Sequence, residues 1–125
     1  MTAWILDGNN IMGSRPDKWW NDRPAAMERL GQEIAHWCWT HDDTVHLVFD
    51  GPHLSNVDAL AGGNLRIEFA QRSARNAADD VIVELAHTLD GADVTVVSAD
   101  KGLKERLREG IKTEGPGSFL RRLST

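Results

Sequence analysis

The sequence predicts an α/β fold, with helices layered on both sides of a mainly parallel central sheet (α/β/α). Two observations carry this. Short apolar runs of strand length alternate with stretches whose apolar residues recur at helical spacing. Three of those runs also stop in the same way, on an aspartate at or just beyond the end of the strand. Right-handed crossovers between parallel strands place helices on both faces of a sheet. The functional crevice of such a sheet lies at the carboxyl ends of its strands.

Taken in order, Trp4-Ile5-Leu6 is a short apolar run halted by Asp7-Gly8-Asn9-Asn10, a buried strand ending in a turn. Gly13-Ser14-Arg15-Pro16-Asp17 has the residues of a loop. A helix is expected from about Pro24, because proline suits a first turn; Met27, Leu30, Ile34, Trp37 and Cys38 then share one face. Val45-His46-Leu47-Val48-Phe49 is a second apolar strand, closed by Asp50-Gly51-Pro52. Arg66-Ile67-Glu68-Phe69 alternates as a strand with one exposed face should. Ala77 to Leu89 reads as a helix with Ala78, Ile82, Leu85, Ala86 and Leu89 inward, stopped by Gly91. Val94-Thr95-Val96-Val97 is another buried strand, running out at Ser98-Ala99-Asp100. A short helix follows with Leu103 and Leu107 inward, then a Gly115-Pro116-Gly117 turn and a last short helix around Phe119 to Leu123. Trp4 and Trp37 are expected in the core.

A length of 125 residues makes one domain, residues 1–125, the expectation. With 41% hydrophobic and 26% charged residues the composition is that of a folded globule and excludes a disordered chain. No run approaches the roughly 18 apolar residues of a membrane span. Met1 to Asp7 lacks the basic and apolar regions of a signal peptide. The lone Cys38 has no intrachain disulfide partner, so a reducing, cytoplasmic location is expected. The net charge of −5 argues against a general nucleic-acid coat. It is unevenly spread: from Lys101 onward seven Lys and Arg face three Glu, a net +4, which leaves −9 for the rest. A protein that gathers carboxylates in one place has that distribution, and so does a plain acidic protein.

If the strands are parallel, Asp7, Asp50 and Asp100 come to the same edge of the sheet. Asp79 joins them from the start of the following helix. At roughly 100° per residue, Asp79 lies about 70° from the centre of the apolar stripe and can lean towards that edge; Asp80 lies on the solvent side. Carboxylates brought together raise one another's pKa unless a cation compensates them. Oxygen ligands without thiol or imidazole point to Mg²⁺ or Mn²⁺ rather than zinc. An ion held there can turn water into a nucleophile and shield a phosphate. The plainer reading of each aspartate is a helix cap or turn residue; their joint placement at one edge favours a site.

Asp7-Gly8-Asn9-Asn10, Phe49-Asp50-Gly51, Ala78-Asp79-Asp80 and Ser98-Ala99-Asp100 follow the order and spacing of NYN domains, a branch of the PIN-like nuclease superfamily. The segment Gly13 to Arg23 also resembles small bacterial members, so the likeness covers nearly the whole chain. The resemblance implies a PIN-like, Rossmann-like sheet flanked by helices, Mg²⁺ or Mn²⁺ at Asp7, Asp50, Asp79 and Asp100, and RNA as substrate. It places Asn10 in the shaping of the first loop and Ser98 against a ligand or phosphate. Many relatives carry a further acid two places after the position of Asp100, where this chain has Gly102, which bears on two-metal occupancy.

Around that cluster, Arg15, Lys18 and Arg23 flank Trp19-Trp20, a pattern that can hold phosphates and stack bases. Arg15, nearest the turn, is the first substrate-side candidate; the bland alternative packs the tryptophans on the core. Arg72 and Arg75 precede the helix bearing Asp79 and could clamp RNA; Lys101 follows Asp100 and could bind a phosphate. The five histidines lack zinc-type spacing, and His53 alone, near the Asp50 turn, is a proton-shuttle candidate. The expected activity is internal cleavage of RNA by a metal-dependent ribonuclease. The alternatives are a binding domain that keeps the fold without turnover, and a small-molecule phosphohydrolase. The latter is disfavoured because Asn9 stands where a haloacid-dehalogenase-type pattern wants a second Asp. A second copy of the chain, the ribosome or an RNA-processing partner could supply the basic surface that this acidic chain lacks.

Overall fold

The apolar run that opens the chain becomes the central strand, β1 (Thr2–Asp7), as burial on both sheet faces requires. The computed structural model describes residues 2–70, 77–89 and 93–124. β2 (Thr44–Asp50), β3 (Leu65–Ala70), β4 (Asp93–Val97) and β5 (Lys112–Glu114) complete a five-stranded sheet of order β3-β2-β1-β4-β5. Every neighbouring pair is parallel. The order of strands reverses at β1: the chain moves outward through β2 and β3, then returns to the other side of β1 as β4. A topological switch point therefore lies at the carboxyl end of β1, between its two neighbours.

Helices cover both faces. On one, α1 (Gly8–Gly13), α2 (Arg23–Cys38), α3 (Ser55–Asp58) and α6 (Pro116–Leu123) pack on Trp4, Leu6, Val45, Leu47 and Phe49. Trp4, Trp37 and Phe119 meet there with ring centroids 5.3–5.8 Å apart. The Trp4 indole N–H is satisfied by Asp43 Oδ2 at 3.0 Å, whose other oxygen accepts from the Thr2 backbone N–H at 3.0 Å and fixes the start of β1. On the opposite face α4 (Ala77–Thr88) and α5 (Lys101–Arg106) cover Ala3, Ile5, Val48, Val94 and Val96. Side chains alternate along β1, so Asp7 follows Ala3 and Ile5 onto the α4 face.

Four elements differ from the sequence reading, one of them α3, a single helical turn that no apolar pattern announces. The expected turn after Asp7 is the short helix α1, which buries Ile11 and Met12. Its first residue must be glycine: a Cβ on Gly8 would lie 2.6 Å from the Phe49 ring and 2.9 Å from the Val48 carbonyl oxygen. The loop beyond it contains a 3₁₀ turn, Trp19–Asn21, and Asp22 caps α2 by accepting from the Ala25 N–H at 3.1 Å. Lys112-Thr113-Glu114 pairs with β4 through its backbone and has no apolar pattern to announce a strand. β3 behaves as its alternation predicts, with Leu65 and Ile67 buried and Arg66 and Glu68 exposed.

Candidate active site

Asp7 ends β1, Asp50 ends β2, Asp79 lies in the first turn of α4, and Asp100 follows β4 as the N-cap of α5. The first turn of a helix favours negative charge, which suits Asp79. Asp100 has a structural duty as well, since its Oδ1 accepts from the Leu103 N–H at 3.1 Å. The four sense one another electrostatically: Asp7 feels the charges of Asp79 and Asp100, and Asp79 those of Asp100 and Asp50.

Asp7 is the buried member, 5% exposed. Burial pushes its carboxyl pKa up to about 6, and the charges of Asp79 and Asp100 add to that rise. The Ser98 hydroxyl opposes it by donating to Asp7 Oδ2 at 2.8 Å, and the Asn10 backbone N–H opposes it more weakly. No capping hydrogen bond forms from Asp7 into α1, so that N–H acts as a nearby dipole. Asp79 is also raised, first by burial and next by Asp100, with Arg106 pulling the other way. Asp80 points outward and pairs with Arg106 at 2.8 Å, as its place on the helix predicts.

Two adjacent asparagines lock the strand ends together. Asn9 Oδ1 accepts from the Asp50 N–H at 2.6 Å, and Asn10 Oδ1 accepts from the Ala99 N–H at 2.8 Å. From the end of β1, one reaches the strand on one side and the other reaches the strand on the opposite side. Asn10 thus ties the segment after β1 to the segment after β4. Asn9 has an equal part that the sequence reading passed over, and its only signal was its place in the Asp-Gly-Asn-Asn run. Ser98 completes the frame: it is fully buried, donates to Asp7 and accepts from the Asp100 N–H at 3.0 Å. With its hydroxyl so engaged, Ser98 positions the two aspartates and has no surface for a phosphate.

The basic candidates are placed as follows. Arg15 is engaged by Glu33 of α2 through both guanidinium NH₂ groups. Lys101 is exposed in the first turn of α5, beside Asp100. Arg72 and Arg75 lie outside the described residues. His53 is held by Asp58 at 2.9 Å, with its ring edge-on to Phe69. Trp19 packs partly on the core, whereas Trp20 is 62% exposed. Arg23 reaches the end of β2, donating from Nη2 to the Asp50 carbonyl at 3.1 Å.

The donor set is all carboxylate oxygen, and burial disfavours the ionised form of Asp7 unless a cation stands beside it. That suits a hard divalent ion. Among the described residues no three Asp, Glu, His or Cys side chains are drawn close enough to enclose one. The arrangement fits an ion of the Mg²⁺ type, which keeps several waters and takes one or two carboxylates together with substrate phosphate.

An all-parallel 3-2-1-4-5 sheet between helices, with aspartates gathered at the carboxyl edge, defines a PIN-like domain. The chain belongs to the YacP-like NYN domain family, whose model matches residues 4–110. Two crystal structures of Rae1 (YacP) from Bacillus subtilis are similar to it. One, of a tryptophan-to-leucine mutant, is 22% identical with a TM-score of 0.78, over 99% of this chain and 76% of that one. The other is 19% identical with a TM-score of 0.78, over 99% of this chain and 74% of that one. At those identities the likeness speaks for the fold. No curated protein matches the chain. Membership of the NYN family implies a nuclease. No helix among the described residues is long and apolar enough to cross a membrane.

Proposed function

We propose that the chain, acting as one NYN domain in the cytoplasm, is a metal-dependent endoribonuclease whose catalytic and metal-binding residues are Asp7, Asp50, Asp79 and Asp100. The observation that carries this reading is the burial of Asp7, with its raised pKa, against the charges of Asp79 and Asp100. A fold with no use for that carboxylate could replace it by an uncharged residue and lose nothing in stability.

Asp7, with Asp79 and Asp100 around it, would hold Mg²⁺ or Mn²⁺. When bound, such an ion supplies an activated water and neutralises charge on the phosphate oxygens. Ser98 and Asn10 keep the Asp7 and Asp100 ends in register, and Asn9 does the same for Asp50. Asp50, half-buried at the end of β2, would complete the ion's ligand set from the rim. Lys101, exposed beside Asp100, would meet a phosphate of the strand being cut.

The test is cleavage of a mixed-sequence, end-labelled RNA in Mn²⁺, Mg²⁺ or EDTA, by wild type, Asp7→Asn and Asp100→Asn. Metal-dependent internal cuts that disappear in both folded variants are the expected result. Binding of RNA by wild type without cuts in any metal would favour the non-catalytic reading, to which Gly102, in place of a further acid, lends its weight.

A further inference from the structure

Beside the acidic cluster lies a pocket of about 210 Å³ lined by Arg23, Pro24, Met27, Asp50, Pro52 and Leu54. An apolar cavity of roughly 150 Å³ admits benzene, so this one has room for a planar ring. Its walls are aliphatic except at Arg23 and Asp50. Asp50 also belongs to the acidic cluster, its charge reaching Asp79 as that of Asp100 does, so pocket and cluster share a wall.

Arg23 enters from the start of α2, and its guanidinium lies across the Asp50-Gly51 turn. A Cβ on Gly51 would stand 3.5 Å from Nη2, and Gly51 adopts a φ of +92°, which leaves that turn to glycine. A guanidinium has five N–H donors. Among the described residues Arg23 makes one hydrogen bond, to the Asp50 carbonyl, and no carboxylate pairs with it. Its Nε is shut away from water with no partner. Leaving donors of a half-buried cation unmatched costs free energy unless a ligand brings acceptors. Arg15, Arg29, Arg106 and Arg122 all have carboxylate partners, which sets Arg23 apart from them.

We propose that this pocket is a nucleobase subsite. The base of a nucleotide adjoining the cut bond enters between Pro24, Met27, Pro52 and Leu54. Arg23 donates to the phosphate that links this nucleotide to the one over the acidic cluster. The position of the cut relative to that base rests on the nuclease reading; base-dependent binding of a nucleotide follows from the pocket alone. A base paired in a duplex cannot enter, so the subsite selects single-stranded RNA.

The test has two arms. In the first, the ¹⁵N-labelled chain without metal is titrated with each of the four nucleoside 5′-monophosphates and with ribose 5-phosphate, and amide shifts are followed. At least one nucleotide is expected to bind about tenfold or more tightly than ribose 5-phosphate, with shifts centred on Arg23, Met27 and Leu54. Leu54→Trp, which fills the pocket, brings that nucleotide down to the level of the sugar phosphate. Arg23→Gln weakens nucleotide and sugar phosphate alike, and Arg23→Lys restores part of the loss. The spectra themselves report whether each variant is folded. In the second arm, sites cut in a mixed-sequence RNA are mapped, and the base preference beside the cut flattens in Leu54→Trp. Equal binding of nucleotides and ribose 5-phosphate by wild type overturns the proposal. So does base discrimination that survives Leu54→Trp. Discrimination by a wild type that cuts no RNA would overturn the nuclease reading and uphold the subsite.

Discussion

Asp7 is 5% exposed, and its carboxyl is held near a pKa of about 6 by burial and by two neighbouring carboxylates. In the unfolded chain the same group ionises near its ordinary 3.8. Between those two values the folded state binds more protons than the unfolded one, so the contribution of Asp7 to stability falls as pH rises from about 4 to about 6, then levels off. At 1.36 kcal/mol per pKa unit, the cost to the metal-free fold at pH 7 is on the order of 3 kcal/mol. Asp7→Asn is therefore expected to match wild type near pH 4 in EDTA and to be the more stable of the two at pH 7. Denaturant melts at both pH values check this. Taking the difference between the two proteins removes Asp43 and Glu114, whose lowered pKa values act in the opposite direction. Ser98→Ala strips a fully buried hydroxyl from between Asp7 and the Asp100 N–H. It should destabilise by about 1–3 kcal/mol and, by loosening both aspartates, lower kcat on RNA more than it raises KM. The four aspartates were legible because each stands where an apolar run stops or a helix starts. The role of Ser98 was not: which way a small hydroxyl faces depends on strand register, and that is fixed by pairing across the sheet.

The elements that carry the site are the carboxyl ends of β1, β2 and β4, and α1 ties them together. Asn9 grips β2 and Asn10 grips β4 from consecutive positions, which works because β1 lies between those strands. α1 can sit so close only because Gly8 has no side chain, with Phe49 and the Val48 carbonyl closing the space. Gly8→Ala should cost about 1–3 kcal/mol and push α1 away from β2; a denaturant melt gives the first quantity and RNA cleavage its consequence. Long apolar strands and helices were readable from periodicity, since burial on both faces leaves continuous runs in β1, β2 and β4. β5 was not, because a three-residue edge strand of polar residues has no apolar pattern; backbone bonds to β4 and the Lys112–Asp93 and Glu114–Arg122 pairs hold it. At α1 the sequence predicts a turn, because Gly8-Asn9-Asn10 are turn residues. Burial of Ile11 and Met12 under the sheet overrides that local preference.

Across the whole molecule, charge is segregated. Asp7, Asp50 and Asp100 stand at strand ends around the switch point, while the segment from Lys101 onward is basic within a chain of net −5. Uncompensated, the cluster would repel RNA; on the proposed reading, a divalent ion would make it the place where a phosphate is attracted. Restoring an acid at Gly102 should strengthen that attraction for the ion. A Cβ there would start 3.3 Å from Asp100 Oδ1, so Gly102→Asp adds a carboxylate beside the cluster and is expected to lower the Kd for Mn²⁺. The central claim is that these aspartates form a divalent-metal site, and Mn²⁺ binding tests it without depending on the choice of RNA. In an EPR titration the signal of free Mn²⁺ should be quenched by wild type, and the quenching should be lost or weakened at least tenfold in Asp7→Asn that is demonstrably folded. Quenching by Asp7→Asn equal to that of wild type, or none by wild type, would contradict the account.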